Sequence, residues 1–188
     1  ITPENVGRLQ QAWHYRTGAL EGRGDAARRA SFQTTPIFVE NLLVFCTQFN
    51  DVVALTPDTG EEVWRFDAEV DEAAFRPGNG FVCRGVSHWR DDEVDGVCKT
   101  RIFTGTIDAR VIALDTKTGE RCPDFGQSGE VRIATRTRPE WPGEYQITSA
   151  PAIIDDLVIV GSAISDNERV VAPEGTVHAL DALSLIHI

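Results

Sequence analysis

The sequence predicts an all-β chain, a β-propeller built from four-stranded blades, and three observations carry that expectation. Short apolar segments, alternating or β-branched, recur between Gly, Asp, Asn and Pro, which is the grammar of strands and turns. The stretches VVALTPDTGEEVW (52–64), VIALDTKTGERC (111–122) and VHALDA (177–182) are imperfect copies of one pattern. Their alanines, Ala54, Ala113 and Ala179, stand 59 and 66 residues apart, room for about one four-stranded sheet with insertions per repeat.

The elements follow in order. In the first unit TPIFVE (35–40) turns at Asn41 into LLVFCT (42–47), and DVVAL (51–55) turns through TPDTG into EEVWRFD (61–67). Gly60 suits a turn position with positive φ, where a side chain would clash. The second unit carries RIFTGT (101–106), RVIALD (110–115) and the turn TKTG (116–119). The third has PAIIDDLVIVG (151–161), reversing at Asp155-Asp156, and then GTVHALD (175–181). Helical periodicity is confined to a possible short helix at 2–12. AWHYRTG (12–18) reads as the fourth strand of a preceding blade, with Trp13 and Trp64 packed in cores. About three blades are present, and three do not close a ring.

The last copy of the repeat breaks. After Ala182 the pattern calls for a TG turn and a strand, and the chain instead reads LSLIHI (183–188). The codons CTG-TCT-CTT-ATA-CAC-ATC would encode those six residues, and that run resembles a transposase-type sequencing adaptor. The expectation is that 1–182 is propeller and 183–188 is not native.

Composition narrows the function. The net charge of −11 disfavours nucleic acid, which requires a basic face. DDEVD (91–95) reads as a solvated loop. The four cysteines (46, 83, 98, 122) form no CxxC, and the histidines (14, 88, 178, 187) no HxxxH, which argues against a zinc site. Cys83 and Cys98 bracket a polar loop, which suits a disulfide in an oxidising compartment; free buried thiols are the alternative. GRGDAA (22–27) imitates G-x-G-x-x-A, but no strand leads into it, so dinucleotide binding is not expected.

Polar segments remain at the blade edges: FQTTP (32–36), CRGVSHW (83–89), GTIDAR (105–110), ITSAP (147–151) and GSAISDN (161–167). The ordered set CRGVS, DARxIALDxxTG, GEYxxTSxP and GSAISDN resembles the quinoprotein dehydrogenases that use pyrroloquinoline quinone (PQQ), most closely their glucose dehydrogenase branch. The resemblance covers nearly all of 1–182 and implies an N-terminal piece of an eight-bladed propeller. In that family PQQ and a divalent cation, calcium or magnesium, sit on the axis.

By resemblance, Arg84 pairs with PQQ, which a guanidinium can do bidentately, and Thr148 hydrogen-bonds a cofactor carboxylate. Ala163 lies where some relatives place a serine. Asp166 falls at the metal carboxylate position, with Asn167 beside it as a possible oxygen ligand. Gln33 occupies a position often held by glutamate near the quinone. The glucose-type enzymes place a histidine over the ring in a CTxH context; here CTQF makes Phe49 the candidate lid. Alcohol-oxidising relatives cover the ring with a disulfide between adjacent cysteines, at positions that are Gly78 and Asn79 here.

The implied activity is oxidation of a sugar or polyol hydroxyl in the periplasm, with electrons passed to ubiquinone or a cytochrome. The family's catalytic aspartate has no counterpart in this sequence. Any membrane attachment would come through a segment outside it. The rival reading is a non-catalytic PQQ-like propeller serving as a protein-binding scaffold.

Overall fold

The computed structural model describes residues 1–76 and 80–183. The Gly78-Asn79 positions and residues 184–188 of the LSLIHI ending lie outside the described residues. The first blade is a meander of β1 (Ile37–Val39), β2 (Leu42–Cys46), β3 (Val52–Leu55) and β4 (Glu62–Phe66), each antiparallel to the next. The second repeats it with β5 (Ser87–Arg90), β6 (Thr100–Gly105), β7 (Arg110–Asp115) and β8 (Glu130–Arg132). A two-residue strand, β9 (Tyr145–Gln146), precedes the third sheet of β10 (Ala152–Ile154), β11 (Leu157–Gly161) and β13 (Val177–Asp181). β9 pairs separately with β12 (Ala163–Ile164).

The predicted strands of the first unit and the paired central strands of the second therefore form, with ends trimmed by a residue or two. The hairpin at 40–41 closes with positive φ at both Glu40 and Asn41, the geometry a two-residue connection needs to match strand twist. β5, β8 and the β9–β12 ribbon go beyond what the periodicity marks. The expected helix at 2–12 shortens to a 3₁₀ turn at Val6–Arg8, because the segment buries none of those residues. GRGDAA forms a single helical turn, Gly24–Arg28, entered from no strand.

Strand alternation explains why the blades stack. All residues of β6 and β7 are buried, since this blade is covered on both faces. Ile102, Ile112 and Leu114 pack with Val44, Val52 and Ala54 of the first blade. Phe103, Val111 and Ala113 point the other way, onto Val158, Val160 and Leu180 of the third. A period of two on one strand thus feeds two cores, and each such side chain contributes about 1.5–3 kcal/mol by burial.

The two tryptophans share one task. Trp64 on β4 donates its ring N–H to the Thr116 carbonyl in the turn after β7, 3.1 Å away. A Cβ on Gly119 would lie 2.5 Å from that ring, and Gly119 has φ of 73°. Trp13 repeats the arrangement on the preceding turn, donating to Pro57 O at 3.0 Å and lying against Gly60. Residues 12–18 pair with no strand among the described residues, yet Trp13 docks as a fourth-strand tryptophan does. The TG of the repeat is therefore a binding notch for the neighbouring blade's indole, open only to glycine.

The cysteines pair differently from expectation. Cys46 bonds Cys83, with Cα atoms 6.0 Å apart, and Cys98 bonds Cys122, with Cα atoms 5.7 Å apart. Cys83 enters β5 and Cys98 follows it. β5 (Ser87–Arg90) lies between them and carries the chain roughly 10 Å at its usual rise, beyond disulfide reach. The first bond joins two blades; the second closes the β5–β6 loop onto the strand β7 exit. Separations of 37 and 24 residues give each bond roughly 3.5–4 kcal/mol of stabilisation in the chain-entropy picture. Thermal unfolding with and without dithiothreitol tests this. The reduced protein is expected to melt markedly lower, and an unchanged melting temperature would show the bonds to be absent or idle.

Candidate functional site

The segments that lead into the first strand of each blade meet at one edge of the molecule. Thr35 donates its backbone N–H to Arg84 O at 3.0 Å, and Arg84 donates its own to Thr148 O at 2.9 Å. Pro36, Gly85 and Pro151 keep these leads out of the sheet ladders. Their backbone groups are therefore spent across blades rather than within them. Cys46–Cys83 fixes the middle lead one residue before Arg84, and the Cys46 N–H reaches Thr34 Oγ1 at 3.4 Å.

Two candidate residues are brought into contact there. Arg84 Nη1 donates to Thr148 Oγ1 at 2.6 Å. Thr148 is buried, whereas Arg84 is exposed. One of five guanidinium N–H donors is thereby used, and no carboxylate stands within ion-pair distance of Arg84 among the described residues. The acids of 91–95 are occupied elsewhere, with Asp92 on Arg90 and Asp95 on Lys99. A fixed, outward guanidinium without an acidic partner is a ready carboxylate receptor.

The other candidates lie apart from that pair. Gln33 is exposed on the first lead, its amide donating to Ser31 Oγ at 2.9 Å. Phe49 is 2% exposed and stands in a core with Ala26, Phe75, Phe81 and Ile107. The Arg23 guanidinium lies 4.1 Å from its ring centroid and the Phe81 ring 5.0 Å, so its surroundings are core rather than an open ring-stacking face. Ala163 is exposed on β12 opposite Gln146. Asp166 and Asn167 are exposed in the turn that follows, at the end of the β9–β12 ribbon farther from Thr148.

That turn is held by a cluster that sequence patterns alone do not pick out. Glu144 is fully buried, and its carboxylate receives the Arg169 fork through Nε and, at 3.1 Å, through Nη2. It also accepts the Glu140 N–H at 2.7 Å, and Ser165 N–H reaches Glu144 O at 2.9 Å. Burial, the largest influence, pushes the Glu144 carboxyl up. The hydrogen bonds from Arg169 and Glu140, with the charges of Arg169 and Arg76, outweigh it and hold the group below the usual carboxylate range. Glu144 and Arg169 are 25 residues apart; the GEYQITSAP context is the one sequence signal that could have marked the acid.

Among the described residues no cluster of three or more His, Cys, Asp or Glu forms a metal site. The donor set can still contribute to one: Asp166 offers a carboxylate and Asn167 an amide oxygen. Calcium takes six to eight oxygens, so further ligands must come from other groups. On the cofactor side, the Arg84–Thr148 pair fits the carboxylate edge of a polyanionic quinone.

Comparison with known proteins gives the context. Residues 1–184 match the family described as PQQ glucose/ethanol/alcohol dehydrogenase, β-propeller domain. The chain is 36% identical over 186 residues to the glycerol dehydrogenase large subunit of Gluconobacter thailandicus, covering 98% of this chain and 25% of that one. It is 33% identical over 192 residues to the quinoprotein glucose dehydrogenase of Gluconobacter oxydans (strain 621H), covering 96% and 23%. A europium-containing methanol dehydrogenase superimposes over 100% of this chain and 27% of its own, with TM-score 0.69 and 24% identity, which supports the fold. The chain thus spans about a quarter of the length of the curated relatives it matches. With the repeated blades, the indole notches and a family match over nearly its whole length, the chain belongs to the PQQ-dependent glucose/ethanol/alcohol dehydrogenase family, in its β-propeller domain.

Proposed function

We propose that these blades form part of a PQQ- and calcium-dependent dehydrogenase that oxidises a sugar or polyol hydroxyl. The observation that carries the reading is the Arg84–Thr148 pair, a buried hydroxyl holding an exposed guanidinium that has no acidic partner among the described residues. In this reading Arg84 binds a PQQ carboxylate through its free N–H groups, and Thr148 fixes the direction of the fork. Asp166 and Asn167 supply oxygens to the cation, magnesium being the alternative to calcium. Gln33 and Ala163 border the cofactor from the neighbouring lead and ribbon. Phe49 supports the floor from within the core rather than covering the ring.

PQQ, when bound, would supply a quinone able to act as hydride acceptor. The protein's part is to bind, orient and hold charge. The base that takes the hydroxyl proton comes from outside this sequence, so these residues alone bind without turning over. Electrons pass on to ubiquinone or a cytochrome. Two disulfides among four cysteines suit an oxidising compartment, which favours the periplasm, soluble or attached to the inner membrane. Among the described residues no helix is long and apolar enough to cross a membrane. Relatives named for glycerol and for glucose support the sugar-or-polyol class without choosing a member. Gly78-Asn79 cannot form the paired-cysteine cover of alcohol-oxidising relatives.

The test is cofactor retention. The complete protein, mixed with PQQ and calcium and then desalted, is expected to keep the quinone absorbance in stoichiometric amount. Loss of all absorbance on desalting would favour the scaffold reading.

A further inference from the structure

The connection from β4 to β5 runs through residues 67–86, and its one regular element among the described residues is the 3₁₀ turn Glu72–Ala74. A connection of that length does little to fix its own ends. Arg84 nevertheless sits near its end on backbone that is held from several sides. Its N–H goes to Thr148 O, and its C=O receives the Thr35 N–H. The next residue, Gly85, is wedged between the neighbouring leads. A Cβ there would lie 3.3 Å from the Ala150 Cβ and 3.4 Å from Thr35 O. The residue before Arg84, Cys83, is bonded to Cys46 at the end of β2.

That bond differs in kind from the other contacts. The hydrogen bonds to Thr35 and Thr148 hold a lead that has already arrived, whereas a covalent link sets how close it comes. Cys46 and Cys83 are buried, at 0% and 2% exposure, in the core between the first and second blades. Thr34 Oγ1 lies 3.4 Å from Cys46 Sγ, so the lead that carries Arg84 is tied to the first blade beside that blade's own lead. The other disulfide makes no such link. Cys98 and Cys122 lie beyond the far end of β5, in the loop before β6 and the connection after β7.

We propose that the Cys46–Cys83 disulfide is a positioning element of the cofactor site, holding the Arg84 guanidinium where its fork meets a PQQ carboxylate. The inference rests on the reading of Arg84 given above. Burial keeps the sulfurs from soluble thiols while the protein is folded, so the bond is a fixed staple and not a switch.

The second disulfide is the control for the first. With separations of 37 and 24 residues, the two have similar effects on unfolding in the chain-entropy picture. Alanine pairs are used instead of dithiothreitol, because a dithiol also reduces a quinone. In equilibrium dialysis on the complete protein, Cys46→Ala/Cys83→Ala is expected to weaken PQQ binding about tenfold through misplacement of one recognition group. Cys98→Ala/Cys122→Ala should change it by less than about twofold, although both variants melt lower than the parent. In an Arg84→Ala background, removing Cys46–Cys83 should cost no further affinity, because the bond acts through that side chain. Hydrogen exchange in the cofactor-free protein gives a second readout. The Arg84 N–H should exchange at least about tenfold faster without Cys46–Cys83 and at the parent rate without Cys98–Cys122. Equal losses of PQQ in the two disulfide variants, a full further loss in the Arg84→Ala background, or an unchanged Arg84 exchange rate overturns the proposal. A parent that fails to retain PQQ sinks the dehydrogenase reading and this inference with it. A parent and a Cys46→Ala/Cys83→Ala variant that retain PQQ equally well sink this inference alone.

Discussion

Arg169→Ala is expected to destabilise the protein at neutral pH, and to do so less in acid. The substitution leaves Glu144, which is fully buried, as an ion without its counter-ion. Removing one partner costs more than the pair itself contributes, and the partial exposure of Arg169 tempers the loss. The effect has a defined pH dependence. In the parent, Glu144 is held below the usual carboxylate range. It therefore contributes stability that is present above its unfolded pKa of about 4.3 and is lost as pH falls through the lower folded value. In the variant burial is opposed only by the Glu140 N–H and the charge of Arg76, so the carboxyl is expected to sit higher than in the parent. The gap between parent and variant should be widest near pH 7 and shrink as the pH drops below about 4. Denaturant melts at both pH values check this; a gap independent of pH would mean that Glu144 is not the charge at issue. If Asp166 and Asn167 hold a cation as proposed, the same variant should loosen it, because Glu144 and Arg169 brace the turn that carries them.

Why some of this was legible in sequence and some was not follows from range. Strands such as Arg110–Asp115 announce themselves because a period of two and a β-branched composition act within a few residues. The TG turns were equally plain, but their reason was not: Gly119 is required by an indole 55 residues earlier. The cysteine pairing failed for the same cause. Cys83 and Cys98 are near in sequence, while the strand between them sets their distance in space. The ordered motifs supplied Arg84 and Thr148, 64 residues apart, because the resemblance carries three-dimensional information that spacing does not. Phe49, which the same resemblance offers as a lid, is buried against Phe81 and Arg23.

Arg84→Ala is expected to lower PQQ affinity by at least about a hundredfold. A hydrogen bond to a charged group contributes roughly 1.5–3 kcal/mol, and the exposed fork can make two of them to one carboxylate. Arg84→Lys should recover only part of the loss, because an ammonium keeps the charge without the planar fork. Thr148→Val separates placement from charge. It removes the hydroxyl that fixes the guanidinium at 2.6 Å and leaves the charge in place, so a loss of about tenfold is expected. Equilibrium dialysis of PQQ against the four proteins measures all three effects, with melting temperatures as the control for folding. Fold is expected to survive each change, since Arg84 is exposed and, apart from its Nη1 bond to Thr148, its cross-blade bonds are made by backbone atoms. If Arg84→Ala binds PQQ as the parent does, the meeting point of the three leads is not the cofactor site. The ordering Ala below Lys below Val below parent would instead show that both the charge and its orientation are used.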